Sequence, residues 1–175
     1  FRVGMWVGTK SSPNRLEKDG LNSPSARTLL LDSERGVSNR PAKAIMFEVC
    51  PWCNCESIRK ASNWSIKVLK GRKSLFGRCE AEDCIFNSES GIPFTCVDED
   101  IYNNPPSILL GTADKFVQAA FNNSYDESPG ANGNPRDIRN LLGFGEGVRP
   151  PDLVIQDELH LLTGPLGSMA GLLET

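Results

Sequence analysis

The fold of this chain is decided by the stretch Pro150-Pro-Asp-Leu-Val-Ile-Gln-Asp-Glu-Leu-His160. Its short apolar run, from Leu153 to Ile155, follows two prolines and leads into two adjacent carboxylates and a histidine. Such a run predicts a buried strand of a parallel sheet, with the charged residues at the carboxyl end of the strand. Ligands of open α/β sheets bind at that end. The stretch therefore predicts an α/β fold with a ligand site just beyond the strand.

The two carboxylates have an arrangement that is typical of nucleoside triphosphatases. In those enzymes an Asp at a strand end holds the magnesium ion on the β- and γ-phosphates, and a following Glu can polarise the attacking water. Asp157 and Glu158 fit these two roles. The alternative is that both residues only place solvated charge at the end of a strand, which is a common arrangement without chemistry.

The composition is that of an ordinary globular domain. The chain has 175 residues, of which 39% are hydrophobic and 23% charged, enough for one domain with a real core. Its net charge of −3 argues against a strongly basic protein that coats nucleic acid. No apolar run approaches the roughly 18 residues that span a bilayer, and no secretory leader is recognisable. We expect a soluble cytoplasmic protein with no membrane partner. Because it begins at Phe1 and stops at Thr175 within an apolar pattern, we also expect a piece of a longer protein.

The first half of the chain predicts two strands and a helix. Residues 1–8 alternate apolar positions and predict a partly buried strand. Ser23 and Pro24 predict the N-cap and first position of a short helix that ends at Gly36. Residues 43–49 predict a second strand that leads directly into the first cysteine.

A phosphate-binding loop is suggested just after the first strand, but the match is incomplete. Gly4, Lys10 and Ser11 occupy three of the four fixed positions of G-x-x-x-x-G-K-[ST]. Thr9 stands where the second glycine is needed for the backbone to approach a phosphate. We therefore do not predict a phosphate loop here.

The cysteines give the most specific local signal. Cys50 and Cys53 form a C-x2-C knuckle, and Cys79 and Cys84 form a second close pair. Two such knuckles close a tetrahedral thiolate cage in ribbon-type structural zinc sites. The chain has one histidine, His160, and it lies in the acidic stretch. The spacing thus predicts a zinc ion bound by these four cysteines.

Alternatives remain for the cysteines. Cys55 could replace Cys53 as a ligand or be a bystander, and Cys96 lies in an apolar run where a cysteine is more often a small core residue. A redox dithiol at Cys50 and Cys53 is disfavoured, because such a motif should open a helix. Between the knuckles, residues 64–70 and 75–76 predict hairpin strands that cover the metal.

A third strand and a helix are predicted between residues 107 and 121. Residues 108–110 are apolar and predict a buried strand, and Thr112 can cap the helix that follows. The exposed N-terminus of that helix, with the Thr112 hydroxyl and Lys115 nearby, is suited to gripping a backbone phosphate. The alternative is an ordinary strand and helix with a routine cap.

These motifs carry a resemblance to a known family. Residues 151–160 resemble motif II of DExH superfamily 2 helicases, and residues 111–116 resemble the nucleic-acid-gripping segment upstream of it. The combination with Trp6-Val-Gly8, Cys50-Pro-Trp-Cys53, Asp98-Glu-Asp-Ile-Tyr102 and residues 157–167 resembles the large helicase subunit of DISARM-type bacterial phage-defence systems. In that family the parent protein is an ATP-driven translocase that engages DNA together with a partner subunit.

The resemblance implies roles for individual residues. Asp157 would bind magnesium, Glu158 would activate water, and His160 would couple the nucleotide state to the DNA side. Thr112 and Lys115 would contact the DNA backbone. Because the phosphate loop and a second motor lobe are missing, we expect the fragment alone neither to bind ATP tightly nor to hydrolyse it.

The expected architecture is a partial RecA-like three-layer α/β sandwich with a predominantly parallel sheet. Residues 1–175 would form part of the first motor lobe, and about residues 47–97 would form an inserted four-cysteine zinc knuckle or ribbon. The alternative function is a non-catalytic zinc-ribbon module that binds nucleic acid or a protein.

Overall fold

The computed structural model describes residues 1–8, 10–21, 23–37, 43–69, 71–113, 115–116, 141 and 149–157. In these residues the chain forms five strands, two α-helices and two short 3₁₀ turns. In chain order they are β1 (Val3–Trp6), α1 (Ala26–Glu34), the 3₁₀ turns Glu56–Arg59 and Ala61–Asn63, β2 (Trp64–Leu69), β3 (Arg72–Gly77), β4 (Phe94–Thr95), α2 (Asp98–Asn103) and β5 (Ile108–Gly111).

A parallel sheet of three strands forms the first layer, in the order β4, β1, β5. Val3 in the central strand is paired with Phe94 on one side and Ile108 on the other. Gly4 lies so close to Pro106 that an added Cβ would be 2.7 Å from the proline ring, so the crossing from α2 into β5 requires glycine there. This mixed α/β arrangement is consistent with part of a RecA-like fold. Strand β4 belongs to this sheet although it lies within the residues assigned to the zinc insertion.

Strands β2 and β3 form a separate antiparallel hairpin, as predicted from the residues between the knuckles. The pairing runs from Trp64 opposite Gly77 to Leu69 opposite Arg72. Gly71 in the turn has φ +80°, a conformation that glycine adopts without strain. The Trp64 ring covers Gly77, where a Cβ would come within 2.6 Å of it, and the indole N–H donates to the Ile58 carbonyl at 2.7 Å.

One hydrophobic core joins the hairpin to the parallel sheet. Phe47 packs edge-on against Phe94 of β4, with ring centroids 4.7 Å apart, and is stacked on Trp64 of β2 at 6.4 Å. The buried residues of this core are Leu16, Ala26, Leu30, Ala44, Ile45, Ile58, Ala61, Trp64, Leu75, Ile92, Phe94, Cys96 and Val97. The hairpin is therefore held by the same core as the sheet and α1.

A buried carboxylate, Asp100 of α2, connects both sheets. Its side chain is fully buried, and Oδ2 accepts from Arg2 Nη2 at 2.6 Å, Thr95 Oγ1 at 2.7 Å and the Leu75 N–H at 2.9 Å. Arg2 also donates from Nη1 to Oδ1 at 3.0 Å, which makes the ion pair bidentate. Because its partners come from the chain before β1, from β3 and from β4, this carboxylate fixes the hairpin against the sheet.

Replacing Asp100 with Asn should destabilise the fold by about 3–5 kcal/mol, because removing one partner leaves the other charge uncompensated. The amide would also place an N–H₂ group among donors in either orientation. That group would face Arg2 if the amide oxygen takes the place of Oδ2, and it would face the Leu75 N–H and the Thr95 hydroxyl if the nitrogen does. Denaturant unfolding measures the change. Asp152→Asn, at an exposed position, is the matched control and should stay within about 0.5 kcal/mol. Similar unfolding midpoints for the two variants would show that Asp100 does not hold the hairpin against the sheet.

The first strand and the helix are confirmed, with one shift. Helix α1 ends before Gly36, whose φ is +69°, as predicted. Its N-cap is Ser25 rather than Ser23: the Ser25 hydroxyl accepts from the Thr28 N–H. The Ser25 N–H is held by Asp19 Oδ1 at 2.8 Å. This contact fixes the chain so that the helix begins two residues later than Pro24 suggests.

The strand predicted over residues 43–49 is wrong, because this segment is irregular. Ala44 and Ile45 are buried, and the Ala44 carbonyl lies 3.5 Å from the Cys96 thiol. The apolar residues are thus needed for the core, as their pattern indicates. Their side chains enter the core from an irregular segment that lies across the end of β4 and does not pair with that strand.

The buried strand predicted in the deciding stretch is also wrong in this structure. Residues 151–157 have no strand conformation, and Leu153, Val154 and Ile155 are 75%, 70% and 82% exposed. In the part of the chain that the structure describes, no strand pairs with this run. Strand β5 is confirmed, but Ile108 and Leu110 are 46% and 55% exposed, contrary to the buried strand expected. An apolar run is buried only as far as a partner surface reaches it. Strand β5 pairs with β1 and packs its Leu109 beside Trp6, whereas residues 153–155 have no strand partner among the described residues.

No helix among the described residues is both long enough and apolar enough to cross a membrane.

Candidate metal centre

The two cysteine pairs come together at the open end of the hairpin. The Sγ atoms of Cys50, Cys53, Cys79 and Cys84 all lie within 4.8 Å of one another. Cys50 and Cys84 are 3.6 Å apart, as are Cys53 and Cys79. Cys50, Cys79 and Cys84 are buried, and Cys53 is exposed at the surface of the cluster. The cluster predicted from cysteine spacing is therefore present.

The first knuckle is closed by the backbone. The Cys50 N–H donates to the Cys55 carbonyl at 2.9 Å, and the Asn54 N–H donates to the Cys50 carbonyl at 2.9 Å. Asn54 has φ +59°, a left-handed conformation that Asn tolerates better than most residues. Cys55 then caps the 3₁₀ turn Glu56–Arg59, with its thiol accepting from the Ser57 N–H at 3.5 Å. Cys55 is thus a neighbour of the cluster rather than a member of it.

The second knuckle repeats this pattern. The Cys79 N–H donates to the Phe86 carbonyl at 3.1 Å, and the Cys84 N–H donates to the Ala81 carbonyl at 3.1 Å. Cys79 follows β3 directly after Arg78, whose N–H donates to the Asn63 carbonyl at 2.9 Å. The hairpin therefore sets the position of the second pair relative to the first.

The surroundings favour a thiolate at two of the four positions. Burial raises the pKa of Cys50, but N–H donation from Cys53 and Trp52, together with hydrogen bonds from the Cys84 and Cys53 thiols, lowers the pKa overall. Burial likewise raises the pKa of Cys79, but donation from the Ala81 N–H and the Ser57 hydroxyl lowers it overall. These donors do not depend on a metal.

The pKa values of the other two thiols are raised. The Cys55 N–H lowers the pKa of Cys53, but burial and the three neighbouring sulfurs raise it to about 12. Burial is the main reason why the pKa of Cys84 is raised. Four thiolates so close together repel one another, and a bound cation removes that repulsion because metal binding deprotonates its cysteine ligands.

The donor set fits a single tetrahedral metal ion. With Zn–S bonds of about 2.3 Å, neighbouring sulfurs of a tetrahedron are about 3.8 Å apart, close to the two separations of 3.6 Å. A cage of four sulfurs is typical of zinc or of iron–sulfur centres. The N–H groups aimed at the sulfurs supply the outer hydrogen bonds that orient metal ligands. The four cysteines can therefore hold a metal ion.

The other predicted site residues do not meet this cluster. Thr112 is exposed at the end of β5, where its N–H donates to the Trp6 carbonyl at 3.3 Å, and the next described residues are helical. Lys115 is buried, and its Nζ lies 2.6 Å from Asp98 Oδ2. Its ammonium would have to leave Asp98 to reach a phosphate. Asp157 is exposed, while Glu158 and His160 lie outside the described residues.

The chain is similar to a known protein along its whole sequence. No family model matches it. It is 31% identical to the DISARM protein DrmA of Bacillus paralicheniformis, over an alignment of 194 positions that includes the whole chain. The similarity extends over the entire length of the chain. It spans 17% of the length of DrmA. The resemblance to a DISARM protein that the motifs indicated is confirmed.

The metal centre predicts a defined order of thiol reactivity. With metal bound, a thiol reagent should label Cys55 alone at a significant rate, since the four ligands are coordinated. Burial raises the pKa of Cys96 to about 12, with help from the charges of Asp100 and Asp98. Cys96 should therefore stay protonated and unlabelled at neutral pH, because only the thiolate is nucleophilic.

Mass spectrometry of the alkylated protein measures this order. Chelation should expose the four ligand thiols, and only a denaturant should expose Cys96. Rapid labelling of Cys50 or Cys79 before chelation would contradict metal binding by these residues.

Proposed function

We propose that the chain is part of an ATP-dependent DNA helicase or translocase that acts in bacterial defence against phage. The observation that carries this proposal is the similarity to a DISARM protein along the entire chain. The DExH-like sequence of residues 157–160 supports it. The chain would form part of a first RecA-like motor lobe, with a zinc-binding insertion at about residues 47–97. The longer protein would work in the bacterial cytoplasm with a partner subunit of a defence complex.

The catalytic residues of the proposed motor lie at the end of the deciding stretch, after its apolar run. Asp157 would hold the magnesium ion that accompanies ATP, and Glu158 would orient and deprotonate the attacking water. His160 would couple the nucleotide site to the DNA. For these roles residues 153–155 must join the sheet. The half-exposed Ile108 and Leu110 of β5 support this, because a strand beside β5 would cover them.

Zinc is the metal that we assign to the four cysteines. All four positions of the cage are filled by protein sulfur, which is typical of structural zinc and leaves no open position for substrate. Zinc would hold the two knuckles together at the end of the hairpin. Its contribution would be to folding rather than to chemistry.

Thr112 is the residue that we propose to contact the DNA backbone. It is exposed at the carboxyl end of β5, the sheet edge at which ligands of α/β folds bind. A contact from Lys115 would require breaking its buried ion pair with Asp98. In this structure Thr112 is therefore the better-placed member of the pair.

Thr112→Val should weaken binding of single-stranded DNA about tenfold, because a hydrogen bond to a charged group contributes about 1.5–3 kcal/mol. Fluorescence anisotropy with a labelled oligothymidine at low salt measures the affinity. Thr112→Ser keeps the hydroxyl and is the matched control, which should bind like wild type. Lys115 is left unchanged because its removal would break a buried ion pair with Asp98. Equal binding by wild type and Thr112→Val would remove this hydroxyl from the DNA footprint.

A non-catalytic zinc module is the second candidate function. The exposed positions of Leu153, Val154 and Ile155 favour it, since Asp157 then follows no buried strand. The module would bind nucleic acid or a protein through its zinc ribbon. ATP hydrolysis by the longer protein separates the two candidates, and its absence would favour the module.

A further inference from the structure

A groove on the outer face of the hairpin is not used by the metal centre. It has a volume of about 160 Å³ and is lined by Ser62, Asn63, Ser65, Lys67, Phe76 and Arg78. We call this surface the hairpin groove. Side chains alternate between the two faces of a strand, and Ser65 lies opposite Phe76 in the β2–β3 pairing. The other face carries Trp64 and Leu75 into the core. The groove thus lies on the face of the hairpin opposite to Trp64 and Leu75.

The chemistry of the hairpin groove is that of an anion site. Its lining includes two cations, Lys67 and Arg78, and the hydroxyls of Ser62 and Ser65, but no carboxylate. Glu80, two residues after Arg78, is paired with Lys60 at 2.8 Å. This carboxylate therefore already has a cationic partner of its own.

Both cations are positioned by the hairpin. The Lys67 ammonium lies 3.5 Å from the centroid of the Phe76 ring, a cation–π contact that keeps it over the groove. The backbone of Arg78 is held at the open end of the hairpin, because its N–H donates to the Asn63 carbonyl and the next residue is the metal ligand Cys79. Lys67 in β2 and Arg78 just beyond β3 therefore line the same groove.

We infer that the hairpin groove binds the phosphodiester backbone of a single nucleic-acid strand. This rests on the proposed function, which supplies such a strand. Phe76 is buried beneath Lys67, so no exposed aromatic ring in the lining can stack on a base, and contacts fall on phosphates. Four of the six lining side chains are exposed, which suits a strand that passes across the hairpin better than an enclosed free anion.

The experiment compares two double variants of the metal-loaded chain. Lys67→Ala with Arg78→Ala removes both groove cations, while Lys18→Ala with Arg35→Ala removes two exposed cations elsewhere and the same net charge. Anisotropy with labelled oligothymidine is measured over a series of salt concentrations. The groove variant should bind at least tenfold more weakly at the lowest salt. Its plot of log affinity against log salt should be less steep by about 1.4, since each phosphate contact on a single strand contributes about 0.7. The control should match wild type.

Equal affinity and equal salt slope for the groove variant and wild type would overturn the inference. If Thr112→Val weakens binding while the groove variant does not, only the groove assignment fails and the proposed function stands. If wild type does not bind oligothymidine even at the lowest salt, both fail. Inorganic phosphate should displace the oligonucleotide no better than chloride at equal ionic strength, and stronger displacement would identify a free-anion site instead.

Folding of the variants is checked by metal content and circular dichroism, because Arg78 adjoins a metal ligand. If the double variant loses metal, Lys67→Ala alone is decisive. That residue lies in the middle of β2, and its removal should reduce the salt slope by about 0.7. An unchanged slope in this variant would overturn the inference.

Discussion

Replacing Cys79 with Ser is expected to release the metal and unfold both knuckles. Cys79 is fully buried, and its sulfur lies 3.6 Å from Cys53 Sγ and from Ser57 Oγ. A structural zinc ion contributes on the order of 10 kcal/mol to small metal-folded elements, far more than other single changes in this chain. Metal analysis should find one zinc per wild-type chain and much less in the variant. Hydrogen exchange should show the loss of protection beginning in the knuckles.

The common core decides how far this unfolding spreads. The hairpin contributes Trp64 and Leu75 to the core that also contains Phe94 of the parallel sheet. Asp100 also binds both the hairpin and the sheet. We therefore expect the knuckles and the adjoining open end of the hairpin to lose protection from hydrogen exchange first. The parallel sheet should then unfold at a lower denaturant concentration than in wild type.

Cys96→Ser is the control for the metal prediction. Cys96 is as buried as Cys79, but it lies outside the cluster and beside the Ala44 carbonyl, to which a serine hydroxyl can donate. Its zinc content should equal that of wild type. Fresh wild-type protein with well under one equivalent of zinc, and with Cys50 and Cys53 joined by a disulfide, would contradict the metal assignment.

The parts of the structure that were predictable from the sequence are those that local spacing decides. Two residues between Cys50 and Cys53 leave room for one tight turn, and a structured link between the pairs brings Cys79 and Cys84 back to it. The hairpin over residues 64–77 is likewise local, since β-branched and aromatic residues flank a glycine turn. Each knuckle and the hairpin turn depend on residues a few positions apart, and the hairpin then brings the two knuckles together.

The parts that sequence reasoning missed depend on distant partners. Asp100 is an ordinary helical acid in the sequence, and its importance comes from Arg2, 98 positions away. Lys115 can be buried because its charge is paired with Asp98, 17 positions away. The acidic first turn of α2 was a possible signal, because three carboxylates at one helix start suggest partners elsewhere.

Apolar runs were over-interpreted as strands for a related reason. Residues 43–49 and 153–155 both have the composition of a buried strand, yet neither forms one. Composition reports a preference for burial, whereas a strand also needs a neighbour with free backbone donors and acceptors. In the first case the core takes the side chains from an irregular backbone. In the second, the side chains stay exposed.

In the longer protein, Glu158→Gln should leave ATP binding largely intact and reduce hydrolysis by about 10²–10⁴-fold, the usual contribution of a general base. The proposed division of labour explains the difference. Asp157 would help to hold magnesium in the ground state and in the transition state alike, so Asp157→Asn should weaken magnesium-dependent binding as well. Glu158 would act on the water only as the reaction proceeds, and removing such an interaction lowers turnover without loss of binding. His160→Ala should reduce DNA-stimulated hydrolysis more than basal hydrolysis.

Steady-state ATP hydrolysis and nucleotide-binding titrations, each with and without single-stranded DNA, separate these effects. Glu89→Gln is the matched control, because it makes the same change at an exposed position near the second knuckle and should hydrolyse ATP like wild type. If residues 157 and 158 only place solvated charge, then Glu158→Gln should behave like this control, with a stability change within about 0.5 kcal/mol. Hydrolysis by Glu158→Gln at the wild-type rate with DNA present would show that this stretch is not the catalytic motif of a motor.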